Sequence, residues 1–136
     1  MTTRTDAAGR TQVLDPVRRR WVALTPEEGV RQVLLEDLLA AGYPVGLVAV
    51  EKGLVYNGQA WRADAVAYGR DGRALLLAEC KAPGVALTAD TVDQLARYNA
   101  VVGASVIVLD NGHQRHVWRL DAGAWTLLDG LPAFGG

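Results

Sequence analysis

Glu79-Cys80-Lys81 closes a hydrophobic run, and Asp64 lies upstream on what reads as the preceding strand. Side chains alternate along a strand, so Glu79 and Lys81 fall on one face and Cys80 on the other. A hairpin between the two strands brings Asp64 beside Glu79. Two carboxylates and an ammonium at one sheet edge pack poorly. They suit phosphodiester chemistry: the carboxylates hold a hard divalent cation, and the lysine meets water or negative charge developing on phosphate. Two carboxylates this close disfavour joint ionisation, so one of them should have a raised pKa in the metal-free protein.

At 136 residues the chain is long enough for one domain with a real core. Hydrophobic residues make up 50% and charged residues 21%, which excludes a disordered chain. The formal net charge of −1 neither announces a nucleic-acid binder nor excludes one, because site acids offset basic residues elsewhere. A single cysteine, Cys80, forms no internal disulfide and fits a reducing cytoplasm. No apolar stretch of ~18 residues is present, so no membrane span is expected. The first twelve residues lack the apolar segment of a signal peptide, and no phosphate-cradling G-x-x-x-x-G-K-[ST] loop occurs.

The elements that must position the acids are legible from punctuation and period. Residues 1–12 are small and polar and read as a disordered N-terminal arm. Pro16 argues against a central strand there, and Arg18-Arg19-Arg20 suggests either a phosphate-facing patch or a solvated lead-in to a helix. Thr25-Pro26-Glu27-Glu28 opens a helix from Pro26 to about Ala41, stopped at Gly42. Thr25 serves as N-cap, and Glu28 completes a capping box or stands as a third acid near the cation. A strand follows at Gly46–Glu51, with Leu54–Tyr56 as its continuation or a second strand, then an Asn57-Gly58 hairpin turn, then Ala60–Tyr68 with Arg62, Asp64 and Val66 on one face. Ala74–Cys80 is nearly all apolar and reads as a central strand. Thr88–Val101 is a second helix, with Gln94 and Tyr98 on one face at i and i+4. Ala104–Leu109 is a buried strand, and Arg115–Leu120 with Ala124–Leu128 forms an antiparallel pair. Residues 131–136 read as a loose C-terminal tail. The strand–helix–strand crossover after Lys81 requires a parallel pair. The class is α/β, with a mixed central sheet flanked by helices.

The order Glu28, Asp64, Glu79-Cys80-Lys81 and crossover helix resembles the PD-(D/E)xK nuclease superfamily, with a restriction-endonuclease-like core. Gln94-Leu-Ala-Arg-Tyr98 looks like the Q-x-x-x-Y motif of its RecB-like branch. The strings 24–32, 79–83, 94–99 and 110–112 are similar to small stand-alone proteins built around the N-terminal nuclease domain of type I restriction enzyme R subunits. The resemblance implies a nuclease-like domain over 13–130 and Mg²⁺-dependent cleavage of DNA, with Mn²⁺ as a substitute. It implies Asp64, Glu79 and the Cys80 carbonyl as metal ligands with Glu28 nearby. Lys81 would position the attacking water or stabilise the transition state, and Gln94 and Tyr98 would line the site and contact DNA or the lysine. Arg62 has the side-chain direction of Asp64, which suits it either to pair with that acid or to touch phosphate. A motor or specificity subunit is implied as partner, and a homodimer is left open. Ala63 stands where the superfamily name has Pro, Gly29 follows the two glutamates where a bulky residue is expected, and Asp110 replaces a Thr.

Plainer readings weigh against each residue. Asp64, Glu79 and Lys81 alone could be a structural ion cluster, and Gln94 with Tyr98 an exposed helical pair. Glu51 reads more readily as a strand-end acid than as a site acid. His113 and His116 lack zinc spacing and read as surface histidines. Trp21, Trp61, Trp118 and Trp125 read as core or rim. A catalytically silent nucleic-acid- or partner-binding module with the same fold is the alternative to the nuclease.

Overall fold

The computed structural model describes residues 1–135, and Gly136 lies outside the described residues. Its first 23 residues form a small antiparallel sheet of β1 (Thr3–Thr5), β2 (Thr11–Asp15) and β3 (Arg20–Ala23), with β2 in the middle. This corrects the expectation of a disordered arm over 1–12. The Asp6 carboxylate accepts from the Ala8 and Arg10 amides, both at 2.9 Å, and closes the β1–β2 turn. The strands are polar because they are mostly exposed; only Val13 and Asp15 are buried. Pro16 does not interrupt β2, which ends one residue before it.

The helix α1 (Pro26–Ala40) follows, with Thr25 as N-cap accepting from the Glu28 amide at 3.1 Å. Only this half of the capping box forms, because the Glu28 side chain is held elsewhere. A Cβ at Gly29 would meet only Leu24 Cδ1, at 3.8 Å, so nothing in the packing demands glycine there.

A six-stranded sheet comes next, in spatial order β4 (Val48–Tyr56), β5 (Gln59–Tyr68), β6 (Ala74–Cys80), β7 (Val106–Asp110), β8 (Arg115–Asp121) and β9 (Ala124–Leu128). Leu54–Tyr56 is the continuation of the strand before it, not a second strand. Neighbours are antiparallel except β6 and β7, which run parallel. The connection between that pair carries α2 (Ala89–Val102), capped by Thr88. Asn57 and Gly58 both have positive φ, +48° and +75°, as a type I′ hairpin turn requires.

Alternation then fixes the faces. Leu76, Ala78 and Cys80 pack with Leu34, Leu35 and Leu38 of α1, whereas Leu77 packs with Leu95 of α2. Glu79 and Lys81 share the parity of Leu77 and therefore face α2. Residues 131–135 are not a loose tail. The Phe134 amide donates to the Ala41 carbonyl at 3.0 Å, the Tyr43 hydroxyl donates to the Pro132 carbonyl at 3.0 Å, and the Phe134 ring meets Tyr43 edge-on. Among the described residues no helix is long and apolar enough to cross a membrane.

Candidate active site

The ladder between β5 and β6 ends at Ala65 opposite Ala78. One residue further, the Asp64 side chain replaces the backbone: its Oδ2 accepts from the Cys80 amide at 2.7 Å. Beyond this point β5 pairs only with β4. The apolar pattern also changes face here. Val50 and Ala65 pack on the α1 side, and Leu54 and Ala63 on the α2 side, although each pair has the same parity. The change falls at Glu51, opposite Asp64, whose φ of +54° is left-handed and unusual for a residue with a Cβ. The twisted hairpin and α2 enclose a cleft of about 370 Å³, lined among others by Trp61, Asp64, Glu79, Lys81, Gln94 and Tyr98.

Glu79 is the strained member of this set. Its Oε2 is buried and has no hydrogen-bond partner. Lys81 Nζ stands 3.8 Å from Glu79 Oε1, an ion pair too long to be a hydrogen bond. Burial, then the charge of Asp64 close by, push the Glu79 carboxyl up to about 9, against the pull of Lys81. A carboxyl raised in the folded state contributes stability that is full below its unfolded pKa near 4.5 and is lost as pH rises through about 9. Glu79→Gln, which cannot ionise, should therefore raise the melting temperature relative to the parent at pH 8 and much less at pH 5, in chelator. Equal differences at both pH values would mean that Glu79 ionises normally.

The structure places Glu28 outside the cleft lining, where its neighbour Glu27 stands instead. Both Glu28 oxygens are taken: Oε1 by Arg18 at 2.6 Å and Arg31 at 2.7 Å, Oε2 by Arg31 at 2.9 Å and Gln32 at 3.2 Å. Burial works against the Glu28 charge, but these bonds hold its carboxyl below the usual range. Arg31 also reaches Asp64 Oδ1 at 3.2 Å and Glu51 Oε1 at 3.3 Å. Arg18 adds Asp15 at 2.9 Å. Two guanidiniums thus hold four carboxylates in a half-buried network that joins β2, α1, β4 and β5. Arg18 is no phosphate-facing patch; it points inward.

Gln94 and Tyr98 do not face bulk solvent away from Lys81, since both line its cleft. Gln94 Nε2 donates to the Tyr98 hydroxyl at 3.0 Å, and Trp61 stacks on Tyr98 with ring centroids 3.8 Å apart. Tyr56 meets Tyr98 edge-on at 5.4 Å. Arg62 lines the cleft and lies 3.6 Å from Glu51 Oε2. The Cys80 thiol is buried on the α1 side, away from the cleft. Its N–H points to Asp64, and in a strand the C=O of the same residue points to the same edge. Sequence reasoning missed Arg31, which touches two of the acids across 33 and 20 positions of chain. No periodicity spans such distances.

A family model described as type I restriction enzyme R protein N terminus (HSDR_N) matches residues 26–132. Comparison with curated proteins and with solved structures returns no match.

Proposed function

The chain belongs to the family of type I restriction enzyme R protein N termini, and from that premise we propose that it hydrolyses DNA phosphodiester bonds with Mg²⁺, as a nuclease or nuclease subunit of the PD-(D/E)xK kind. The observation that carries this reading is the buried, unpartnered oxygen of Glu79 beside Asp64 and Lys81. Such an orphan acceptor costs stability unless something supplies a positive partner.

The donor set fits a hard cation: two carboxylates, Asp64 and Glu79, and the Cys80 carbonyl at the same edge. No group of three His, Cys, Asp or Glu side chains able to hold a metal occurs among the described residues. Mg²⁺ commonly takes one or two carboxylates, with waters and substrate phosphate completing its shell. Bound there, it would supply charge for the scissile phosphate and a more acidic water. Lys81 reaches the same cleft and would orient the attacking water or meet negative charge on the phosphate. Gln94 and Tyr98 form the opposite wall and would hold the strand in line. Arg62, at the mouth, would bind a neighbouring phosphate. Burial and the charge of Asp64 raise the Glu79 carboxyl's hold on a proton, and cation binding should release that proton.

DNA is the substrate in this reading, a motor or specificity subunit the partner, and the cytoplasm the compartment. Monomer and homodimer are both compatible with it. One observation favours the silent-module reading: Arg31 gives Asp64 a positive partner from the protein itself, at 3.2 Å. Calorimetry with Mg²⁺ or Mn²⁺, together with nicking of plasmid, linear and single-stranded DNA, separates the two. Asp64→Ala should lower cation affinity and cleavage together. A parent that binds neither ion and cuts none of the three DNAs would hand the case to the silent module.

A further inference from the structure

A second hollow of about 260 Å³ adjoins the cleft, lined by Tyr56, Asn57, Gln59, Gln94, Arg97 and Tyr98. Gln94 and Tyr98 are common to both spaces and form the wall between them. The chemistry above uses none of Tyr56, Asn57, Gln59 or Arg97. We propose that this hollow receives one unpaired nucleobase next to the phosphate to be cut, so that the substrate is DNA that is single-stranded at the cut. The proposal rests on the nuclease reading for the phosphate and on the hollow alone for the base.

The lining is the chemistry of a base. Asn57 and Gln59 offer amide donors and acceptors, and both side chains are exposed at and beside the hairpin turn. Tyr56 and Tyr98 supply two rings of the lining, and Tyr98 is backed from the cleft side by Trp61 stacked on it. Arg97, also exposed, brings a planar cation that stacks on a base or binds its phosphate. The hollow has no carboxylate in its lining, unlike the cleft beside it. A strand laid across both would put its base against rings and amides and its phosphate against Lys81. Aromatic faces serve only a base that has left the duplex, because stacking covers both its faces there. Amides between hairpin and helix likewise meet a Watson–Crick edge only when it is unpaired.

The test is fluorescence anisotropy in chelator, with a labelled single-stranded oligonucleotide and a blunt duplex of the same sequence. The parent should prefer the single strand. Tyr56→Ala should weaken single-strand binding by about 5- to 150-fold, the scale of one base–ring stack, and leave duplex binding unchanged. Arg97→Ala and Gln59→Ala change exposed side chains and should weaken the same binding with no loss of melting temperature. Equal affinity for both DNAs, or losses that are equal for both, overturns the proposal. So does unchanged single-strand binding in all three variants. If the parent cuts no DNA but binds single strands through Tyr56, the nuclease reading fails and the hollow stands. If it cuts blunt duplex as fast as single strand and Tyr56→Ala changes neither rate, the hollow fails and the nuclease stands.

Discussion

Lys81→Ala should slow DNA cleavage by about 10²–10³-fold, the usual scale for removing one electrostatic stabiliser from a reacting centre. Lys81 is no cation ligand: its ammonium stands 3.8 Å from Glu79 Oε1, and its side chain is 30% exposed. Cation binding should therefore survive. Two effects of the change oppose each other there. Removing a positive charge from the site favours a cation, while Glu79 loses the group that lowers its pKa and so holds its proton more firmly. Calorimetry in two buffers of different ionisation enthalpy reads both the affinity and the proton released. Cleavage at the parent rate would take Lys81 out of the chemistry. Loss of cation binding in step with cleavage would make it a structural partner of Glu79.

Arg31→Leu should destabilise the fold by about 3–5 kcal/mol, the cost of breaking a buried ion pair by removing one partner. The Arg31 and Glu28 side chains are 10% and 7% exposed, so water screens little of the loss. The change leaves Glu28, Glu51 and Asp64 with fewer counter-charges while Arg18 still holds only part of them. Arg31→Lys should recover only part, because Arg31 grips Glu28 through two nitrogens, Nε at 2.9 Å and Nη2 at 2.7 Å. Denaturant unfolding of the three proteins measures this. A loss below about 1 kcal/mol would place the network with solvated surface pairs instead.

The α/β class, the parallel crossover, the Asn57-Gly58 hairpin, the bounds of β6 and β9 and the end of β5 were all legible, because each is a local signal. A turn type needs two residues, and a buried strand needs a short apolar run. The parity that puts Glu79 and Lys81 on one face is equally local. The ion network was not legible. Arg18 and Glu28 are 10 positions apart and Arg31 and Asp64 are 33 apart, and their pairing depends on how a small sheet, a helix and a hairpin stack. Glu28 looked like a capping-box residue because Thr25 stands three before it; a buried guanidinium outcompetes a backbone amide for the carboxylate. The face change at Glu51 was invisible, since alternation predicts faces only while φ stays extended. The docked segment 131–135 carries Leu131 and Phe134, and their use was hidden by the Gly and Pro around them.

The first 25 residues lie outside the family match, yet Asp15 and Arg18 are members of the charge network that reaches Asp64. The border drawn by relatedness and the border of cooperative folding therefore differ. Peeling the small sheet away from α1 would expose Glu28 to one guanidinium where it had two, and would release Gln32 from Asp15. That opening strands buried charges, so it carries a free-energy cost well above the fraying expected of a polar terminus. Amide protons of β2 and the first turns of α1 consequently belong to one exchange unit, and a fragment trimmed to the matched residues would begin inside it.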